Sequence, residues 1–170
     1  MTMSMEAAFR ALIAARRDEI VILSAGNASE MWWGLTGERD NVFYLEASMS
    51  LAPMFGAGIA MGVKGRDVWV LNGDGALVMN PGTLMVERGL DLPNLKHFVV
   101  SNRAYGSTFD ASLPNAARTD YPAMARALFS HDCPDAAAAF ATARPCRQPV
   151  LPQETPLEAL HHADRLPRHY

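Results

Sequence analysis

The stretch VWVLNGDGALVMN, residues 68–80, decides the fold. It opens as an unbroken apolar run of strand-forming residues, passes through Gly73-Asp74-Gly75, and continues into a second apolar run that starts with a small residue. A tight turn alone needs only Asp-Gly. A glycine on each side of an aspartate, at the exit of a buried strand, lets a bulky anion or a metal come close to the backbone. The strand does not alternate polar with apolar, and such continuous runs belong to parallel sheets covered on both faces.

The same alternation of elements extends in both directions from this stretch. Upstream, the pattern predicts a helix near residues 5–17, a strand IVILSAG from Ile20, and a loop at 26–28 in which Ser29 serves as the N-cap of a short helix, EMWWGL. A strand VFYLEA follows from Val42, then the Gly- and Ala-rich helix SLAPMFGAGIAMGV, with Pro53 in its first turn. Downstream, the aspartate loop leads to a helix that begins at Pro81 or Gly82 and ends near Gly89. The strand KHFVVS, a long polar loop over 102–119 and the helices YPAMARALF and DAAAAFATA complete the series. Strands alternating with helices give an α/β class, a three-layer αβα arrangement with an open, mostly parallel sheet and helices on both faces.

A chain of 170 residues fits one domain by size, placed at 1–145, with 146–170 as a tail of uncertain structure. In that tail several prolines leave QPVLP as a poor candidate for a last strand. Charged residues make up 19% and the net charge is −3, which provides neither a basic nucleic-acid surface nor an acidic tail. Glu6 and Arg10 interrupt the N-terminal apolar stripe and no 18-residue apolar run occurs, so the start reads as an amphipathic helix of a soluble protein, with no membrane span. Cys133 and Cys146 are too few and too far apart for a CxxC metal site or an iron–sulfur cluster, and reduced thiols suit a cytoplasmic protein. His161, His162 and His169 read as part of a solvated tail or an interface rather than a metal site.

Parallel geometry gives the opening stretch its chemistry. A crossover from strand 68–72 to strand 96–101 brings both carboxyl ends to one sheet edge, where open α/β folds bind ligands, and makes Asp74 and Asn102 neighbours. Twenty-six residues separate Gly75 from Asn102, enough for a loop, a helix, a connector and a strand. A carboxylate, an amide oxygen and a nearby backbone carbonyl form a hard-oxygen site suited to Mg2+, and Gly75 and Ala76 offer backbone N–H groups to phosphates on the same ion.

Gly73-Asp74-Gly75, the twenty-six-residue spacing, Asn102 and the following AYGST together resemble the binding motif of the thiamine-diphosphate-dependent enzymes. GDGALVMNPGTL, NLKHFVVSNRAYGST and LEASMSLAPMFGAGIAMG are similar to stretches in the small separate subunits of sulfopyruvate and phosphonopyruvate decarboxylases. The resemblance implies Mg2+ bound by the Asp74 and Asn102 side chains and the Ala104 carbonyl. It implies a diphosphate lying against Gly73, Gly75, Ala76, Tyr105 and Gly106, with Asn27 and Ser29 as donors on the opposite wall. Met49 matches the bulky residue that wedges under the cofactor and bends it, although core packing also accounts for a methionine there. The Ala47 carbonyl matches the acceptor for the aminopyrimidine.

By the same resemblance the substrate is a small 2-oxo acid and the reaction its decarboxylation. The glutamate that helps to form the reactive carbanion lies in this family on a pyrimidine-binding domain, so a separate, alpha-type subunit is the implied partner. This chain then carries no catalytic residue for that step, is inactive alone and tends to self-associate. A subunit of a carboligase or synthase would share every motif, and a non-catalytic scaffold that kept the fold is a third reading. A ferredoxin-linked oxidoreductase subunit is disfavoured by the missing cysteine cluster. Two departures from the family pattern stand close to the site. Ser50 takes a place usually held by Gly. Arg103 takes another such place, where it would crowd the metal loop, offer charge to an anionic substrate, or stand in solvent.

Overall fold

The structure, a computed structural model, describes residues 4–129 and 157–158. Four apolar runs form strands β1 (Ile20–Ser24), β2 (Val42–Leu45), β3 (Val68–Gly73) and β4 (Leu95–Val100). They are parallel, in the order β2-β1-β3-β4. Every residue of β1 and β4 is buried, as strands covered on both faces must be. A small antiparallel hairpin, β5 (Ala104–Tyr105) and β6 (Ala111–Ser112), follows β4. A two-residue strand, β7 (Leu157–Glu158), pairs antiparallel with Val99 and Val100 on the outer side of β4.

The helices α1 (Met5–Ala15) and α2 (Asn27–Thr36) cover one face of the sheet, and α3 (Ala52–Gly62) covers the other. The period of two along each strand sorts the core. Val21, Leu23, Trp69, Leu71, Phe98 and Val100 meet Phe9, Leu12 and Trp32 from α1 and α2, while Ile20, Ile22, Val68, Val70 and Leu95 meet Ala52, Ala57 and Ala60 of α3. Small residues let α3 sit close to the sheet. A Cβ added at Gly56 would lie 2.3 Å from Val70 Cγ2. On the same side, α4 (Asp74–Met79), α5 (Gly82–Leu90) and α6 (Tyr121–Phe129) bury Leu77, Leu84, Tyr121 and Ala125 around Val99.

Local signals set the helix ends. Ser4 caps α1, its Oγ accepting from Ala7 N at 3.2 Å. Trp32 is fully buried against Phe9 while Trp33 is 44% exposed, so the two adjacent indoles face opposite sides of α2. Ser29 is not the N-cap expected from sequence. The chain leaves β1 through Gly26 at φ +87°, a conformation that L residues rarely adopt, and enters α2 at once. Ser29 thus lies inside the first turn, its hydroxyl donating to the Ser24 carbonyl at 2.8 Å.

A second difference lies in the opening stretch itself. Residues read as a loop before a helix at 81 or 82 are already helical from Asp74, so β3 runs straight into α4. Asn80 precedes Pro81 and leaves the helical region at φ −146°, which divides α4 from α5. The boundary placed at 145, the DAAAAFATA helix, the QPVLP segment, both cysteines and the three C-terminal histidines fall outside the described residues. No helix among the described residues is long and apolar enough to cross a membrane.

Candidate functional site

The strand order fixes where a ligand can sit. The chain steps outward from β1 to β2 and then returns to lay β3 on the other side of β1, so the order reverses between β1 and β3. Crevices open beyond the carboxyl ends of strands at such a switch point. The structure has a cavity there, lined by Ala25, Asn27 and Ala28 after β1, by Gly73, Asp74, Gly75 and Ala76 after β3, and by Asn102, Ala104, Tyr105, Gly106 and Ser107 after β4. Val100 at the end of β4, Met49 from the β2–α3 connection and Met5 of α1 complete the wall. Every site residue expected from sequence lines this cavity except Ser29 and Ala47. The Ser29 hydroxyl is turned to the buried end of β1, and Ala47 lies exposed on the turn before Met49.

Asp74 is 1% exposed and already well supplied with donors. Its Oδ1 accepts from Gly75 N at 2.9 Å, and its Oδ2 accepts from Ser101 Oγ at 2.7 Å and Arg103 N at 2.9 Å. A carboxylate offers about four lone-pair positions, so one remains open, on Oδ1. Burial pushes the Asp74 carboxyl above its ordinary range, opposed by the Ser101 hydroxyl, the two backbone N–H groups and the Arg103 charge. A cation beside Oδ1 would relieve that cost. Asn102 stands between Ser101 and Arg103, two of the three donors to Asp74, and its Oδ1 accepts from Ala104 N at 3.1 Å. This turn holds the Asn102 amide against the Ala104 backbone, and Asp74, Asn102 and Ala104 all line the cavity, each with an oxygen of the kind a hard cation takes.

Two glycines shape the cavity wall by close approach. A Cβ at Gly106 would stand 2.3 Å from Asn27 Nδ2 and 2.8 Å from Asn102 Nδ2, so two amides from the ends of β1 and β4 converge on its backbone. A Cβ at Gly75 would stand 2.8 Å from Tyr105 Cδ1, so the Tyr105 ring lies against the start of α4. The first turn of α2 also reaches the cavity at Asn27 and Ala28, and its Gly26 cap supplies no side-chain acceptor, which leaves that helix start suited to an anion. A diphosphate with a hard cation fits this set of groups.

The sequence departures have structural consequences. Ser50, next to Met49, has φ +72°, and Arg103 has φ +62°. Both therefore hold the left-handed conformation that glycine favours. Arg103 does not stand in solvent: its Nη1 donates to the Ala116 and Thr119 carbonyls at 3.1 and 2.6 Å, and its guanidinium lies 4.9 Å from the Tyr121 ring centroid.

Sequence reasoning missed two buried serines. Ser101 bonds the carboxylate, and Ser24 Oγ accepts from Gly73 N at 3.1 Å, fixing the glycine before Asp74. The available signal was a small hydroxyl at the carboxyl end of an otherwise apolar strand, in VILS and in FVVS.

Comparison with known proteins agrees with this geometry. The chain is 30% identical over 108 residues to the sulfopyruvate decarboxylase subunit beta of Methanocaldococcus jannaschii, covering 64% of this chain and 56% of that one. It is 34% identical over 91 residues to the protein of the same name from Methanococcus maripaludis, covering 54% and 48%. It is 33% identical over 118 residues to the phosphonopyruvate decarboxylase of Streptomyces viridochromogenes, covering 69% of this chain and 29% of that one. The chain thus spans about half the length of the two beta subunits. The family described as thiamine pyrophosphate enzyme, C-terminal TPP binding domain, matches residues 24–153, a span that holds every group in the cavity wall except Met5. The chain belongs to that family of thiamine pyrophosphate binding domains.

Proposed function

We propose that this chain is the diphosphate-binding subunit of a two-component 2-oxoacid decarboxylase that depends on thiamine diphosphate and Mg2+. Its substrates are small acids of the sulfopyruvate or phosphonopyruvate kind, and a separate pyrimidine-domain subunit completes the active site. The observation that carries this reading is that Asp74, Asn102 and Ala104 line one cavity, in which Gly106 approaches both Asn27 and Asn102.

Asp74 Oδ1, the Asn102 side chain and the Ala104 carbonyl would hold Mg2+, leaving its other positions to diphosphate oxygens and water. Asn27, the first turn of α2 and the Ala76 and Gly106 backbones would bind the diphosphate, whereas the Gly75 N–H expected there from sequence is taken by Asp74 Oδ1. Met49 would pack under the cofactor and set its bend. When bound, the cofactor supplies the electron sink that makes loss of CO2 from a 2-oxo acid feasible. Ser101 and the Arg103 N–H hold Asp74 in place for the metal.

Among the described residues the cavity lining includes no glutamate, and its carboxylate, Asp74, is already bonded by Ser101 and Arg103. A glutamate contributed by another chain is consistent with this, and relatives named as beta subunits support a partner. The test is calorimetric titration of thiamine diphosphate into the chain with Mg2+ and with EDTA. Binding should require Mg2+ and should be lost in Asp74→Ala. Asp74→Ala also strands three donors and lowers stability by roughly 1–3 kcal/mol, so the variant is to be assayed well below its unfolding temperature. Equal affinity with and without Mg2+, or in the variant, would remove the metal assignment.

A further inference from the structure

Arg103 joins two parts of the molecule through two different groups. Its backbone N–H donates to Asp74 Oδ2 at 2.9 Å. Its guanidinium donates to the carbonyls of Ala116 and Thr119, at the start and end of a short 3-10 turn, and lies over Tyr121 at the start of α6. Its own carbonyl accepts from Leu113 N at 3.4 Å. Between those groups the backbone sits at φ +62°, which is unfavourable for an arginine.

We infer that Arg103 is a positioning residue for the metal ligand Asp74. The anchored guanidinium holds its own backbone in the left-handed conformation in which its N–H reaches the carboxylate. This rests on the metal-site reading above and extends it to a residue at which glycine was expected.

A strained residue persists only when its surroundings over-determine it. The 102–103 peptide carries the N–H that meets Asp74, so relaxation of φ at 103 would turn that group away and shift Asn102 with it. A guanidinium suits the anchoring role, because it stays charged, has several donors in a fixed fork and can serve two carbonyls at once. Glycine at this position would adopt the same φ without strain, but would have no hold on residues 116–119. The arginine therefore ties the metal loop to the segment that follows it, and whatever orders one end orders the other. Its guanidinium is bonded to that segment, and its charge also reaches Asp74.

The experiment compares wild type with Arg103→Ala, Arg103→Gly and Arg103→Lys, measuring Mg2+ half-saturation for thiamine diphosphate binding by calorimetry, thermal unfolding without metal, and protease cleavage within 104–119. Arg103→Ala should raise the Mg2+ requirement about tenfold, the scale of one lost hydrogen bond to a charged group. Arg103→Lys, with one donor head, should recover part of it. Arg103→Gly should unfold at a higher temperature than Arg103→Ala, because its φ is unstrained, yet cleave as fast within 104–119. Wild-type Mg2+ dependence in Arg103→Ala would overturn the inference, as would an affinity loss in all three variants that simply follows unfolding temperature. If wild type shows no Mg2+-dependent binding, the functional reading fails separately. Cleavage of the metal-free chain then decides the anchor: faster cutting in Arg103→Ala supports it, and equal cutting refutes it.

Discussion

Gly106→Ala separates binding from stability at the centre of the cavity. The added Cβ would lie 2.3 Å from Asn27 Nδ2 and 2.8 Å from Asn102 Nδ2. Comfortable carbon contacts begin near 3.5 Å, so the Asn27 amide must retreat by about 1 Å and the Asn102 amide by somewhat less. Both neighbours are ends of side chains and can move, which limits the cost to the fold. Overpacking costs about 1–3 kcal/mol where nothing yields. Here the swing of two amides lowers that, and a less flexible unfolded chain returns about 0.4–1 kcal/mol. A net loss of about 1 kcal/mol, or a few degrees in Tm, is the result. Binding has no such relief. Displacing one or two donors that would face a charged diphosphate removes about 1.5–3 kcal/mol each, a loss of affinity of about tenfold to about ten-thousandfold. Gly58→Ala is the control: it lies in α3 with nothing within 4 Å of an added Cβ, and should leave binding unchanged while raising stability slightly. Calorimetry with thiamine diphosphate and Mg2+, paired with thermal unfolding of each variant, gives both quantities. Wild-type affinity in Gly106→Ala would show that the two amides do not form the binding wall.

Two further substitutions address Met49 and its neighbour. Met49→Ala in the assembled enzyme should lower kcat far more than cofactor affinity, since a wedge that sets the cofactor's bend contributes little to holding its diphosphate; equal losses in both, or a loss of Tm alone, would make Met49 a packing residue. Ser50→Gly should raise Tm by a few degrees, because a non-glycine residue in the left-handed region costs about 1–2 kcal/mol and glycine returns part of that; a fall in Tm, read by differential scanning calorimetry, would mean that the serine side chain stabilises the loop.

The parts of the fold that could be read from sequence were those fixed by one-dimensional patterns. IVIL, VWVL and the FVV of the fourth strand put apolar residues on both strand faces, so their place in a covered parallel sheet follows from composition. The distance from Gly75 to Asn102 allows one crossover, which brings Asp74 and Asn102 to the same edge. What escaped depended on partners distant in sequence. Ser29 has the composition of an N-cap, yet the Ser24 carbonyl takes its hydroxyl, because Gly26 turns the chain into α2 three residues earlier. Asp74 begins a helix rather than ending a loop, because the apolar residues Ala76 and Leu77 bury at once against the sheet. Arg103 offered several readings as a loop residue, and the carbonyls of Ala116 and Thr119 that take its guanidinium out of solvent lie more than ten positions away. The hydroxyls of Ser24 and Ser101 became meaningful only when the ends of β1, β3 and β4 stood side by side.

The proposed function divides the labour, with the diphosphate and metal held here and the proton-transfer glutamate held by another chain. The decisive measurement is release of CO2 from sulfopyruvate and from phosphonopyruvate, with thiamine diphosphate and Mg2+, for this chain alone and again with its pyrimidine-domain partner added. Expected are no turnover from the chain alone, turnover that rises to a plateau as partner is added, and its loss when the partner's glutamate is changed to glutamine, since general acid–base help of this kind contributes on the order of 10²–10⁴ in rate. Turnover by the purified chain alone, proportional to its own concentration and lost in Asp74→Ala, would contradict the account by placing the whole of the chemistry in this polypeptide.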